Sequence, residues 1–98
     1  MSMEFRVWIT VEGLPFQRAD LWEPVITRLE RAHPGLGPVI GWDAGAARFI
    51  VSLEAADHAR ATKVAEAAIV GALAAGPADA RILAIETEVT REHAMATV

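Results

Sequence analysis

The 98 residues, of which 53% are hydrophobic, are enough for one compact domain with one core and too few for two domains. The chain has no cysteine, which excludes disulfides, thiolate metal sites and cysteine nucleophiles. Its formal net charge is -4, and its arginines are spread along the chain, so the basic stripe of a nucleic-acid-binding protein is absent. We therefore expect one domain over residues 1–98 and no nucleic-acid partner.

The beginning of the chain, MSMEFRVWITVEG, alternates polar with apolar residues and carries charges. A secretory signal would instead show a basic region followed by an apolar run. No stretch of about 18 uninterrupted apolar residues occurs, as a transmembrane helix would require. The sequence therefore predicts a cytoplasmic protein that has no membrane partner.

The first half of the chain predicts a strand, a helix and a second strand. Strict alternation from Glu4 to Glu12 is typical of a half-buried strand, and residues 13–15 end it. The spacing of Asp20 and Glu23 is that of a capping box, so we expect a helix that begins near Asp20 and ends at residues 33–35. A second strand is expected over residues 38–43.

The second half predicts a strand, a helix and a strand. Residues 46–54 alternate as a strand, and Asp57 is placed to cap an alanine-rich helix that ends at Gly76-Pro77. The last strand is expected over residues 80–90, followed by a flexible tail over residues 91–98. The predicted apolar stripe of the helix consists of Ala61, Val64, Ala65, Ala68, Ile69, Ala72 and Leu73.

This order of elements predicts the fold class. Two split βαβ units with right-handed crossovers form a four-stranded antiparallel sheet with two helices on one face. The sequence therefore predicts an α+β protein, a ferredoxin-like βαββαβ sandwich with strand order 4-1-3-2.

The direction of the Trp42 side chain depends on the length of the hairpin loop, because strand side chains alternate between faces. A two-residue loop, Ala44-Gly45, would direct Trp42 to the core, but it requires a positive φ at Ala44. A three-residue loop, residues 43–45, needs a positive φ only at Gly45 and would direct Trp42 away from the helices. We favour the three-residue loop; the two-residue loop would leave a mixed face with one exposed tryptophan.

With the three-residue loop, the helix-free face of the sheet carries an apolar patch with two tryptophans. Two indoles alone bury about 300 to 500 Å², and patches above a few hundred Å² usually mark an interface. Glutamates toward the strand ends form a polar rim. The predicted interface residues are Trp8, Trp42, Ile40, Ile50 and Ile82, with Arg6 and Arg48 among them.

Catalytic candidates are few. His33, His58 and His93 lack metal-ligand spacing, and no serine lies in a nucleophile elbow, so we expect no catalytic residue, no metal and no cofactor. Glu86 or Glu12, near Arg6, remains a candidate general base if partly desolvated.

The sequence predicts a small non-enzymatic interaction or regulatory module that homodimerises or binds a protein partner through its open sheet face. One alternative is a small cofactor-free enzyme or small-molecule-binding domain, with a possible apolar ligand. The predicted architecture is similar to that of small dimeric α+β barrels, in which two open sheet faces meet; this similarity is to the fold alone. A second alternative is an adaptor that uses the same face for a different protein.

Overall fold

The computed structural model describes residues 2–92 of the chain. The elements, in chain order, are strand β1 (Met3–Glu12), helix α1 (Ala19–Ala32), a 3-10 turn (Pro34–Leu36), strand β2 (Val39–Asp43), strand β3 (Ala46–Ala55), helix α2 (His58–Leu73) and strand β4 (Arg81–Glu92). The predicted α+β class and the number and order of these strands and helices are confirmed.

The four strands form one antiparallel sheet in the order β2-β3-β1-β4. This is the predicted order 4-1-3-2 when it is counted from the other edge. The long central strands β1 and β3 pair along nine positions, with Trp8 opposite Ile50. The sheet is therefore built around the β1–β3 pair, and β2 and β4 form its edges.

Both helices cover the same face of the sheet. Val25 and Leu29 of α1 and Ile69 of α2 are fully buried in one apolar cluster with residues of β1 and β3. The alternation predicted for these strands is confirmed, because their core-facing side chains are buried while the intervening ones are not. The buried strand residues are Phe5, Val7, Ile9, Val11, Ala47, Phe49 and Val51.

The two helix starts differ from each other. The Asp57 carboxylate accepts a hydrogen bond of 2.8 Å from the Arg60 backbone N–H, which confirms the predicted cap of α2. Helix α1 begins at Ala19, close to the predicted position, but no side chain caps it. The predicted capping box is wrong because Asp20 lies inside the first turn, where its carboxylate binds the Arg18 guanidinium instead.

The hairpin loop has two residues, so the predicted three-residue loop is wrong. Asp43 pairs with Ala46 and Trp42 with Ala47, and both Ala44 (φ 51°) and Gly45 (φ 84°) adopt left-handed backbone conformations. This is the geometry of a type I′ turn, whose twist matches that of the flanking strands. Consequently Trp42 shares the helix-covered face with the fully buried Ala47.

The cost of a left-handed alanine is smaller than the gain from burying Trp42. An L-residue pays about 1 to 2 kcal/mol for this conformation. Trp42 gains a hydrogen bond and two aromatic contacts in return, which together contribute about 2 to 4 kcal/mol. The packing of the Trp42 side chain therefore overrides the preference of Ala44 for a right-handed backbone conformation.

Strand β4 contains two register shifts relative to β1, and one of them overturns the predicted position of Ile82. Thr10 pairs with Ala84 but Val11 pairs with Ile82, so Leu83 is an extra residue at a bulge. Ile82 therefore lies opposite the buried Val11, on the helix-covered face, and packs against the core.

The predicted end of the last strand is also corrected. Strand β4 continues through Arg91 to Glu92, so these two residues extend the sheet and do not belong to a tail. The remainder of the predicted tail, residues 93–98 with His93, lies outside the described residues.

The buried stripe of helix α2 is narrower than the sequence predicts. Val64 is predicted to belong to it but is 47% exposed, and the buried residues of the helix are Ala61, Ala65, Ala68, Ile69 and Ala72.

Candidate interaction surface

The helix-free side of the sheet, called the open face below, is centred on Trp8. Cross-strand pairing places Val39 of β2, Ile50 of β3, Trp8 of β1 and Glu86 of β4 in one row across the sheet. Trp8 and Ile50 are half-buried, and the Val39 side chain is exposed. The centre of the open face is thus a short apolar strip that extends from the β2 edge to β1 and meets a carboxylate on β4.

Cationic side chains border this strip on both sides. The Arg6 guanidinium carbon lies 6.0 Å from the centroid of the Trp8 ring, within the range of a cation–π contact. On the other side, Arg48 Nη2 lies 3.7 Å from a carboxylate oxygen of Glu86. The two arginines therefore lie on either side of the row that contains Trp8, with Arg6 near the indole ring and Arg48 near Glu86.

Opposite charges on the open face also lie directly across from each other on β1 and β4. Arg6 lies opposite Glu88 in the β1–β4 ladder, and Glu12 lies opposite Arg81, with which it forms an ion pair. Opposite charges on directly paired residues stabilise a sheet modestly. This pattern places charges of both signs around the apolar strip, and it stabilises the open face in water.

Of the seven predicted interface residues, four lie on the open face and three do not. Trp8, Ile50, Arg6 and Arg48 are where the sequence predicts them. The predicted positions of Trp42, Ile40 and Ile82 are wrong: Ile40 lies opposite Phe49 and, like the other two, packs against the core.

Val39 is absent from the predicted interface, yet the two-residue loop brings it onto the open face opposite Ile50. The signal that could have identified it is the alternation within the second strand. Once Trp42 and Ile40 are assigned to the core, Val39 must point the other way.

Trp42 belongs to an aromatic cluster on the helix-covered side, beside the loop between β1 and α1. Its ring centroid lies 5.0 Å from that of Phe16 and 4.9 Å from that of Trp22, both in edge-on geometry. The Trp42 indole N–H donates to the Leu14 carbonyl at 2.8 Å, and that of Trp22 donates to the Phe16 carbonyl at 3.0 Å. The cluster thus fixes the loop, and its polar atoms are used within the chain.

Trp8 differs from Trp22 and Trp42 in the hydrogen bonding of its indole N–H. Its indole N–H has no acceptor among residues 2–92. A half-buried donor without an acceptor gains most from a partner that supplies one. Trp8 therefore offers both apolar area and a polar anchor at the centre of the open face.

The carboxylates proposed as a general base are not enclosed by this chain. The Glu86 side chain is 72% exposed, and Glu12 lies toward the end of β1, where it contacts Arg81. Within residues 2–92, no group of three or more His, Asp or Glu side chains is arranged to hold a metal ion. Neither Glu86 nor Glu12 is therefore enclosed by residues 2–92.

Two further findings bear on the class of protein. No helix in the described part of the chain combines the length and apolar character needed to cross a lipid bilayer. Comparison of the chain with family models, curated proteins and solved structures gives no significant match.

Proposed function

We propose that this protein is a small interaction module that binds a protein partner through its open sheet face. The observation that carries the proposal is Trp8, whose indole N–H has no acceptor within residues 2–92 and which lies in the middle of a face that no element of those residues covers. Because the helices cover only one side of the sheet, its other side is accessible for association. The non-enzymatic character of the module is part of the proposal.

The composition of the open face is that of a binding surface of moderate strength. Tryptophan and arginine are the residues most enriched at energetic hot spots of interfaces, and Trp8 lies between Arg6 and Arg48. The apolar strip of Trp8, Ile50 and Val39 is smaller than the sequence predicted. We therefore propose a reversible association, not an obligate assembly.

For the fold, we propose the ferredoxin-like βαββαβ sandwich. Its support is the strand order, in which the first and third strands are central, together with a core to which both helices contribute. A cytoplasmic location is part of the same proposal.

Site-specific photo-crosslinking in the native cells tests the proposed function. A benzophenone amino acid at Ser52, exposed on the open face, is compared with one at Thr27, exposed on the outer side of α1. We expect discrete adducts from position 52 that disappear when Trp8→Glu is added, and no discrete adducts from position 27. Equal labelling from both positions, or adducts that persist with Trp8→Glu, would show that the open face is not the binding surface.

A further inference from the structure

The outer edge of strand β4 offers a binding site that is separate from the open face. We propose that this edge binds an extended, basic segment of another protein, which adds a fifth strand to the sheet and places apolar side chains against helix α2. The inference goes beyond the proposed function, because it concerns a different surface and a different mode of binding. Its basis is the backbone of β4, a groove beside α2 and the charges along the strand.

The backbone of β4 is unpaired along its outer edge. Among residues 2–92, β4 pairs with β1 alone, so its other side carries N–H and C=O groups that no strand of this range pairs with. Between the register shifts near its two ends, six consecutive residues, 84–89, pair with β1 in regular order. A row of unpaired backbone groups of this kind is complementary to another strand. The occupant that fits this edge is therefore an extended chain.

Strand β2, at the opposite edge of the sheet, has features that discourage the addition of a strand. It contains only five residues, and Pro38 directly precedes it. Short edge strands, proline and lysine are common means by which proteins prevent pairing at an edge. Strand β4 has 12 residues, with neither proline nor lysine among them. Of the two edges, β4 is thus the better template for a further strand.

Helix α2 lies beside this edge and leaves a groove next to it. At one end α2 is joined to β4, because the Thr62 hydroxyl lies 2.7 Å from the Thr87 hydroxyl and His58 donates to the Thr87 carbonyl at 2.8 Å. Toward the other end of the helix, a groove of about 390 Å³ lies between the two elements. Its lining residues are Glu66, Val70, Leu73, Ala80, Arg81 and Ile82. Side chains on the helix-covered side of an added strand would enter this groove.

The groove and the edge expose apolar side chains. Val70 is 56% exposed, Leu83 50% and Val89 44%, and all three lie on α2 or β4. Val70 lines the groove, and Val89 lies opposite the buried Phe5, on the helix-covered side of β4. Because strand side chains alternate, every second residue of an added strand would contact this apolar surface. These positions of the partner are therefore expected to be apolar.

The remaining side chains of an added strand would lie beside carboxylates. Glu86 and Glu88 are the only charged residues of the regular stretch 84–89, and both lie on the open-face side of β4. Arg48 approaches Glu86 from the inner side, since β1 separates its strand from β4. The outer side of the Glu86 carboxylate is therefore accessible to a cation of the partner.

The groove itself adds a further carboxylate. Glu66 lines it and forms no ion pair within residues 2–92, whereas Arg81 at the same groove is paired with Glu12. The surroundings of the edge are thus acidic. Charge complementarity favours a partner that carries lysine or arginine at the alternate positions not occupied by apolar residues.

The probe for this site is a labelled peptide of about six residues in which lysine and valine alternate, because strands of this length are the commonest in sheets. Fluorescence anisotropy measures its affinity for the full chain at low salt. A dissociation constant between roughly 10 µM and 1 mM is expected of so small an interface. A peptide with glutamate in place of lysine is expected to bind at least about tenfold more weakly.

Methylation of the peptide's backbone nitrogens tests whether it binds as a strand. In an extended chain, successive N–H groups point to opposite sides, so only one alternate set can donate to β4. Methylating that set is expected to abolish binding, whereas methylating the other set is expected to leave most of the affinity.

Two exposed valines of α2 provide matched variants of the protein. Val70→Arg places a cation in the groove and is expected to weaken binding of the lysine–valine peptide at least about tenfold. Val64→Arg makes the same change at an exposed valine that does not line the groove, and it is expected to change the dissociation constant by less than about twofold. Glu88→Gln is expected to weaken binding by about twofold to fivefold at low salt.

The results support or overturn the site as follows. Loss of binding with one methylation pattern and with Val70→Arg, but not with Val64→Arg, supports strand addition at β4. Equal effects of the two methylation patterns or of the two arginine substitutions overturn it, as does the absence of binding below about 1 mM. Equal binding of the glutamate peptide overturns the basic character of the partner. The open face is tested separately, by the crosslinking from position 52.

Discussion

The indole N–H of Trp42 donates to the backbone carbonyl of Leu14 at 2.8 Å, although 28 residues separate them. This bond joins the edge strand β2 to the loop that follows β1. Leu14 is itself buried, so its carbonyl depends on the indole for a partner. The bond explains why Trp42 lies under the helices and not on the open face.

Trp42→Phe is expected to destabilise the protein by about 2 kcal/mol, because it leaves the Leu14 carbonyl without its donor. Urea unfolding measures the loss. Trp8→Phe is the matched control: it makes the same change at an indole whose N–H bonds no acceptor in residues 2–92, and should cost less than about 1 kcal/mol. Equal losses for the two variants would mean that the hydrogen bond to Leu14 contributes nothing measurable.

The left-handed backbone at Ala44 predicts a stabilising substitution. Asn-Gly is the preferred pair for a type I′ turn, since asparagine tolerates a positive φ better than alanine does. Ala44→Asn is expected to raise the free energy of unfolding by about 0.5 to 1 kcal/mol. Gly45→Ala, at φ 84° with open space around the position, should lower it by about 1 to 2 kcal/mol.

Ala44→Asn also distinguishes between the two loop lengths. In a three-residue loop Ala44 would have a right-handed backbone, and asparagine there would bring no gain. An unchanged or lower thermal midpoint for Ala44→Asn would therefore contradict the two-residue turn.

The elements of this fold are predictable from the sequence because local signals agree with the packing. Alternation in β1 and β3 and the Asp57 cap of α2 reflect local physical constraints, and the structure reproduces them. The open face is predictable only in part. Trp8 and Ile50 lie in long alternating strands, whereas the face of Trp42 depends on one loop residue.

The three misplaced residues of the open face share a physical cause. Each error follows from a shift of one residue in register, at the hairpin turn for Trp42 and Ile40 and at the Leu83 bulge for Ile82. A shift of one residue exchanges the faces of every side chain beyond it. At the hairpin turn and at the bulge, the register is determined by the long-range packing of a large apolar side chain. The local conformational preferences of Ala44 and Leu83 do not indicate this register.

The ion pair between Arg18 and Asp20 predicts a small pH dependence of stability. Arg18 donates hydrogen bonds of 2.9 and 2.8 Å to the two carboxylate oxygens, and these bonds lower the pKa of Asp20 below its ordinary value. A lowered folded-state pKa means that ionised Asp20 stabilises the fold above its unfolded pKa of about 3.9. This stabilisation is lost as the pH falls through the folded pKa.

Arg18→Gln tests this prediction. NMR titration of the Asp20 carboxyl carbon should show its pKa rising toward the ordinary value in the variant. The variant should be slightly less stable than the parent protein near about pH 6, and this difference should disappear as the pH falls below the folded pKa of Asp20. The effect is small because both side chains are exposed. A stability difference that persists in acid would assign the role of Arg18 to something other than this pair.

Of the substitutions considered, Gly13→Ala is expected to cause the largest loss in the free energy of unfolding. Its backbone has φ 91°, and a Cβ built there would lie 2.9 Å from the Ala80 Cα, because the loop before β4 passes directly over the end of β1. Neither backbone can move without disturbing the pairing of Glu12 with Arg81. Gly13→Ala is therefore expected to cost about 3 kcal/mol, from the left-handed conformation and the clash together.

Gly71→Ala is the matched control for this effect. Gly71 lies inside α2, and a methyl group added there would meet no atom within 4 Å, so the same substitution should stabilise the protein by about 1 kcal/mol. Urea unfolding of both variants should therefore show a difference of about 4 kcal/mol between chemically identical changes. If Gly13→Ala were as harmless as Gly71→Ala, the loop before β4 could not pass as close to Gly13 as the structure places it.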